Sequence, residues 1–314
     1  MPKTRPSSPS SPRFRGVIVP ILTPFNDDLS VAPELWEAHA AGCLADGAHY
    51  LSPFGTTGEA LSLSARERME ALERLTASGA IPPERLMPGS GLCSLEETTT
   101  LCRHAVDLGC AAVMVLPPFF YVTASDEGLY AYFSRLIESV ASDALRMCLY
   151  HIPQTAGIGI SPALAARLNA AFPETVVAYK DSSGNWDNTK AVIDAAPGIS
   201  VFPGSEVFLV DALRAGGGGC ISATCNSNVG AIRAVYDLAE KGDFAGAEAA
   251  LPAVIAHRRA AERAGLIPAL KSFKAHVTGE RRWLNLRPPL LNADATTGAG
   301  LAETVGGTAR VGAN

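Results

Sequence analysis

A chain of 314 residues, 47% of them hydrophobic, can bury a large core as one big domain or two smaller ones. Its formal charge of −5 comes from interspersed acids and bases, so it offers no basic stripe to neutralise phosphates and nucleic acid is set aside as a partner. No apolar run approaches the ~20 residues of a spanning helix, which sets aside membrane insertion, and a cytoplasmic protein is expected.

Residues 1–13, MPKTRPSSPSSPR, are rich in Pro and Ser and lack the apolar centre of a secretory signal, so a flexible tail is expected there. Short β-rich runs follow at 17–21, 50–51, 86–88, 111–116, 147–150, 176–179, 199–202 and 220–222. Their nearly continuous apolar character is that of strands covered on both faces, as in a parallel sheet. Helical segments lie between them. Ser64 with Glu67 and Ser94 with Glu97 have the capping-box spacing, in which a hydroxyl and a carboxylate satisfy the first free amides of a helix. Ser161 precedes a proline, a residue that needs no amide partner at a first helical position.

Strand and helix alternating eight times predict a (β/α)8 TIM barrel, a fold of ~250 residues, over 14–235. Residues 236–291 are expected as a C-terminal helical extension packed on the barrel, and 292–314 as a flexible tail. The competing architecture is an open doubly wound sheet, but no GxGxxG follows the first run. The seven cysteines are scattered, without a CxxC pair, which suits a reducing compartment rather than a disulfide framework or a zinc site.

Catalytic groups of such a barrel stand at the carboxyl ends of its strands. The run VVAY ends on Lys180, in VVAYKDSSG. The other lysines, at 3, 190, 241, 271 and 274, fall in the tail or in helical stretches expected to face solvent. An ammonium taken out of water is shifted toward its neutral form, whose lone pair can attack a carbonyl carbon. Lys180 is therefore either an imine-forming nucleophile or a strand-end lysine whose head reaches solvent or pairs with Asp181. Tyr150 ends the preceding strand, ~4.8 Å away across a parallel pair, as a proton shuttle or as a packed rim aromatic. His151 follows it and, by strand alternation, points away from the pocket. In PFGTTGEA, residues 53–60, two glycines flank Thr56 and Thr57, a turn able to aim amides and hydroxyls at a small carboxylate, with Glu59 as its brace. FPGSE, residues 202–206, and GGGGCISATCNSN, residues 216–228, place small residues at the last two strand ends. They leave room for a ligand, or simply form flexible connections.

Taken in order, GVIVPILTPF, GTTGE, PPFFYVTASDEGLY, YHIP, YKDSSGN, GSE, GCISATCN and RPPL resemble the dihydrodipicolinate synthase and N-acetylneuraminate lyase family over residues 14–291. The resemblance implies that Lys180 forms the imine and Tyr150 transfers protons. It also implies that the Thr56 and Thr57 turn holds the 2-oxo acid carboxylate with Thr57 in the relay, and that Gly204 and Ile221 line the pocket. It implies further that a homotetramer supplies Tyr121, or Phe120 one place earlier, to a neighbouring site. Synthases of the family carry an arginine where this chain has Thr155, so a bidentate clamp for a dicarboxylate partner is missing. The expectation is a cofactor-free lyase that cleaves or dehydrates a hydroxylated 2-oxo acid, or joins pyruvate to an aldehyde. The alternatives are 4-hydroxy-tetrahydrodipicolinate synthesis, a metal-dependent aldolase, for which the six histidines are dispersed, and a catalytically silent paralogue that only binds a 2-oxo acid.

Overall fold

Parallel strands ring a closed barrel in the computed structural model, which describes residues 14–309; the tail expected over 1–13 lies outside the described residues. The strands are β1 (Gly16–Val19), β2 (Tyr50–Leu51), β3 (Val113–Val115), β4 (Met147–His151), β5 (Val176–Asp181), β6 (Ser200–Pro203) and β7 (Gly219–Ile221). β1 pairs with β2 and β7, and β3 through β6 pair in sequence, all parallel.

The expected strand at 86–88 fills the gap between β2 and β3 without becoming a regular strand. Met87 donates to Leu51 O at 2.8 Å, while Met114 donates to Pro88 O at 2.9 Å. Pro88 has no N–H to continue the ladder, so only isolated bridges form. Gly218 N donating to Val201 O at 2.8 Å joins β6 to β7 and completes the ring. At that seam a Cβ on Gly219, whose φ is 138°, would stand 2.0 Å from Gly16 O, so only glycine lets the first and last strands approach.

Each strand is followed by a helix on the outside, and their starts obey the sequence. Ser64 and Glu67 form the full reciprocal box, with Glu67 N to Ser64 Oγ at 3.2 Å and Ser64 N to Glu67 Oε2 at 2.8 Å. Ser94 accepts from Glu97 N at 3.2 Å but the carboxylate does not return the bond, so this box is half made. Ser161 accepts from Leu164 N at 3.0 Å ahead of helix Pro162–Ala171.

One apolar layer, including Val17, Val19, Leu149 and Tyr179, lies between strands and helices. A second, including Ile18, Met114, Cys148, Val177, Phe202 and Ile221, fills the barrel itself, as alternation of buried side chains across each strand requires.

The C-terminal expectations need two corrections. The boundary at 235 falls inside helix Cys225–Glu240, because that helix is the last outer helix of the barrel and must run the full height of β7. The segment expected as a loose tail after 291 contains helix Thr297–Ala309, whose Leu301 is buried with Leu270, Phe273 and Trp283. Its glycine content suggested looseness; a hydrophobic seat on helix Leu266–Thr278 outweighs that propensity.

Candidate active site

The two residues singled out at strand ends are register partners: Tyr150 on β4 stands opposite Lys180 on β5. Both side chains point into the barrel. Lys180 is 4% exposed, and its Nζ lies 4.1 Å from the centroid of the Tyr150 ring. Asp181 does not pair with it. One strand position further on, the Asp181 carboxylate faces outward and accepts from Ser183 N at 2.9 Å, Asn188 Nδ2 at 2.9 Å and Thr189 Oγ1 at 2.7 Å, tying the loop after β5 to helix Trp186–Ala195. His151 also points outward. Its ring stacks on Tyr179, and its Nδ1 accepts from Ile160 N at 2.9 Å.

The Gly-bracketed turn reaches this pair through Thr56, whose Oγ1 is 3.0 Å from Tyr150 OH. It is the Thr56 hydroxyl, not that of Thr57, which was expected in the relay, that makes this contact. Consecutive residues of a tight turn diverge, so Thr56 faces the mouth while Thr57 is buried. The turn is closed by Gly58 N to Gly55 O at 3.0 Å and Glu59 N to Thr56 O at 3.1 Å, and Thr23 Oγ1 donates to Gly58 O at 2.8 Å. Glu59 holds the left-handed conformation at φ 55°, an unusual state for a side chain with a Cβ.

What secures Glu59 is a second buried lysine. Lys271, expected to face solvent, is 1% exposed and makes an ion pair with Glu59. Its Nζ also donates to Asn285 O at 2.8 Å and lies 4.3 Å from the Phe25 ring centroid. Glu59 Oε2 accepts from Arg287 N at 3.1 Å. Burial brings Lys271 down from 10.5 to about 8, with the Glu59 charge opposing that shift. The expectation failed because helix Leu266–Thr278 is covered on this side by the loop through Phe25 and by residues 281–287, a tertiary contact that helical periodicity alone does not reveal.

A cavity of about 390 Å³ opens above the pair. Thr56, Tyr150 and Thr155 are on its wall together with Phe54, Met114, Leu116, Phe119 and Ile152. Lys180 packs its Nζ against the ring of Tyr150, which is on that wall. Gly204 and Ile221, expected as lining, lie off it. Gly204 packs on Ser182, and Ile221 belongs to the barrel filling beside Tyr150 and Phe202. Tyr121 is 61% exposed and meets the Phe120 ring at 5.9 Å, not Tyr150 or Thr56.

The motifs GSE and GCISATCN do not leave empty room. Glu206 is buried and accepts from the hydroxyls of Ser222 and Thr224, with Arg258 Nη1 3.2 Å away, so they lock helix Phe244–Arg263 to the barrel. Arg68, fully buried yet on the cavity wall, was missed. Its signal was legible, since positions 68, 71, 72 and 75 share one helix face and the last three are apolar.

Among the described residues no three His, Cys, Asp or Glu side chains converge as a metal site, all seven cysteines are free, and no helix is long and apolar enough to cross a membrane.

The chain is similar to proteins of one family. The family model described as "Dihydrodipicolinate synthetase family" matches residues 13–305. A "DapA-like lyase" of Chloroflexus aurantiacus is 37% identical over 76% of this chain and 80% of its own length. A 4-hydroxy-tetrahydrodipicolinate synthase of Thermus thermophilus is 34% identical over 74% of this chain and 77% of its own. The crystal structure of a dihydrodipicolinate synthase from Agrobacterium tumefaciens superposes with a TM-score of 0.84 at 30% identity, covering 93% of this chain and 99% of that one.

Proposed function

The chain belongs to the dihydrodipicolinate synthetase family, and from that premise we propose that it is a lyase acting on pyruvate or a longer 2-oxo acid through an imine on Lys180. The carrying observation is the Tyr150 and Lys180 register pair with the Thr56 hydroxyl on the phenol. The Lys180 amine adds to C2, the Thr56 and Thr57 turn holds the carboxylate, and loss of water gives the imine. The imine nitrogen draws electrons from C3, so a proton leaves C3 and an enamine forms. C3 of the enamine then bonds to an aldehyde carbon, whose oxygen takes up a proton through Tyr150 and Thr56. Water hydrolyses the imine, releasing a 4-hydroxy-2-oxo acid and the free amine; the reverse sequence cleaves the C3–C4 bond. Elimination of the hydroxyl would instead be a dehydration.

Thr155 at the cavity wall offers no charge to a second carboxylate, which favours these reactions over condensation with aspartate semialdehyde. That condensation is the second reading, favoured by the name of the Thermus relative. The exposed run of Phe120, Tyr121 and Val122 supports a homotetramer in which Tyr121 enters a neighbour's relay. Sedimentation of wild type and Tyr121→Phe, with their rates, tests it: a monomer with full activity removes that part.

Borohydride added with pyruvate should leave a reduced pyruvyl adduct on the peptide holding Lys180, and an unmodified peptide would defeat the scheme. A pyruvate-release panel of 2-oxo acids run beside aspartate semialdehyde condensation separates the two readings.

A further inference from the structure

The polar residues that follow β4, β5 and β6 are the ones a hydroxylated substrate would need, and the fold uses them internally. Ser183 Oγ accepts from Asn185 N at 3.1 Å, and Asn185 Oδ1 accepts from Asp187 N at 3.0 Å. Ser205 Oγ accepts from Val207 N at 3.2 Å, while the Glu206 carboxylate is taken by Ser222, Thr224 and Arg258. The Gln154 amide donates to Ser182 O at 2.6 Å. These contacts cap helix starts or tie loops together, and none of these side chains is on the wall of the cavity that holds Thr56 and Tyr150.

The charged groups on that wall are closed off as well. Glu59 is held by Lys271, and Arg68, 1% exposed, donates through Nη2 to Ala60 O, so neither is open to a ligand. The Thr56 hydroxyl is at the reacting end with Tyr150, which leaves the hydroxyls of Ser62 and Thr155 on the rest of the wall. Most of the remainder is hydrocarbon. Leu61, Leu116, Phe119, Ile267 and Leu290 reach the cavity from the turn after β2, the segment after β3 and the C-terminal extension, and all keep part of their surface uncovered. Apolar surface left wet in a concave site is unfavourable, and an apolar group entering it relieves that. A hydroxyl or carboxylate entering the same place loses its water without gaining a partner. About 390 Å³ exceeds what pyruvate alone needs, so the surplus space belongs to the second reactant.

We propose that the second reactant is an uncharged aldehyde whose remainder is a hydrocarbon chain, so that joining it to pyruvate gives a 4-hydroxy-2-oxo acid with an alkyl end. Leu61, 59% exposed, and Leu290 are specificity-determining residues for that chain. This rests on the imine reading and replaces the hydroxylated substrate expected from sequence. The C3–C4 bond forms and the aldehyde oxygen takes up a proton, and cleavage of the alkyl-ended acid is the reverse.

The test uses the full chain and begins with borohydride trapping of pyruvate on the wild type, which judges the imine reading alone. kcat/KM is then measured, with pyruvate saturating, for aldehydes matched in carbon number: propanal against glyceraldehyde and butanal against succinic semialdehyde. The hydrocarbon member of each pair should be favoured about tenfold or more, since the polar groups lose their hydration on this wall. Across propanal, butanal and pentanal the value should rise about three- to fourfold per added CH2. A double variant, Leu61→Asn with Leu290→Asn, should flatten that rise while the pyruvate adduct still forms. Should the variant not fold, as circular dichroism would show, the wild-type series and matched pairs decide. Without an adduct the imine reading and the proposal fall together. With an adduct, a flat wild-type series, a polar aldehyde used as well as its hydrocarbon partner, or a rise unchanged in the folded double variant overturns the proposal and leaves the imine standing.

Discussion

Two lysines of this chain are almost equally sequestered from water, and their surroundings differ. Lys271 is held by a carboxylate, a carbonyl oxygen and an aromatic face, so its ammonium is saturated and serves to pin the Glu59 turn. Among the described residues no carboxylate pairs with Lys180, whose Nζ lies against the Tyr150 ring; the hydroxyl of that ring continues to Thr56. Burial by itself therefore does not mark a nucleophile; the role proposed for Lys180 rests on its lack of a counter-charge beside a phenol.

The sharpest way to break this contrast is to delete each amine in turn. Lys180→Ala should lower turnover about 10⁴-fold or more, because the covalent route is lost, and should abolish the borohydride adduct while the protein stays folded. Lys271→Met should do the converse. It leaves Glu59 buried without its partner and should cost about 3–5 kcal/mol in denaturant unfolding, yet the adduct should still form on Lys180 in the folded fraction. An adduct found on Lys271 would invert the assignment.

A smaller effect distinguishes the two threonines. Tyr150→Phe should reduce turnover about 10²-fold as proton transfer is impaired. Thr56→Val should cost about tenfold, since one hydrogen bond to the phenol is removed, and Thr57→Val less than that. Equal losses at 56 and 57 would return Thr57 to the relay.

The smallest effect concerns the loop that carries Arg287 over Glu59. The Arg287 guanidinium holds the Glu67 carboxyl at about 2 instead of 4.5, against the opposing effect of burial. A depressed acid stabilises the fold above its unfolded value, so this contribution is complete above about pH 4.5 and is lost as pH falls toward 2. Glu67 is partly solvated, which limits it to under about 1 kcal/mol. Glu67→Gln should remove that part of the acid dependence, read from unfolding midpoints between pH 5 and 2.

Much of the fold is legible in the amino-acid sequence alone. Eight apolar runs and the serine caps fix the alternation of strand and helix, because strand burial and N-capping are local in sequence. Lys180 and Tyr150 are legible for the same reason: each ends an apolar run, and barrel strand ends face one mouth. Other features are not. That Pro88 would reduce its strand to bridges depends on neighbours, and so does the helix at 297–309, whose glycines argue against it until Leu301 finds its seat.

Local pattern thus determined the barrel and the two residues at its centre, since both follow from which side chains avoid water along a single element. Only the tertiary structure decided which threonine meets the phenol and that Lys271 is a brace. Both depend on partners more than 90 residues apart in sequence, and a charge acquires its role from what the fold places beside it.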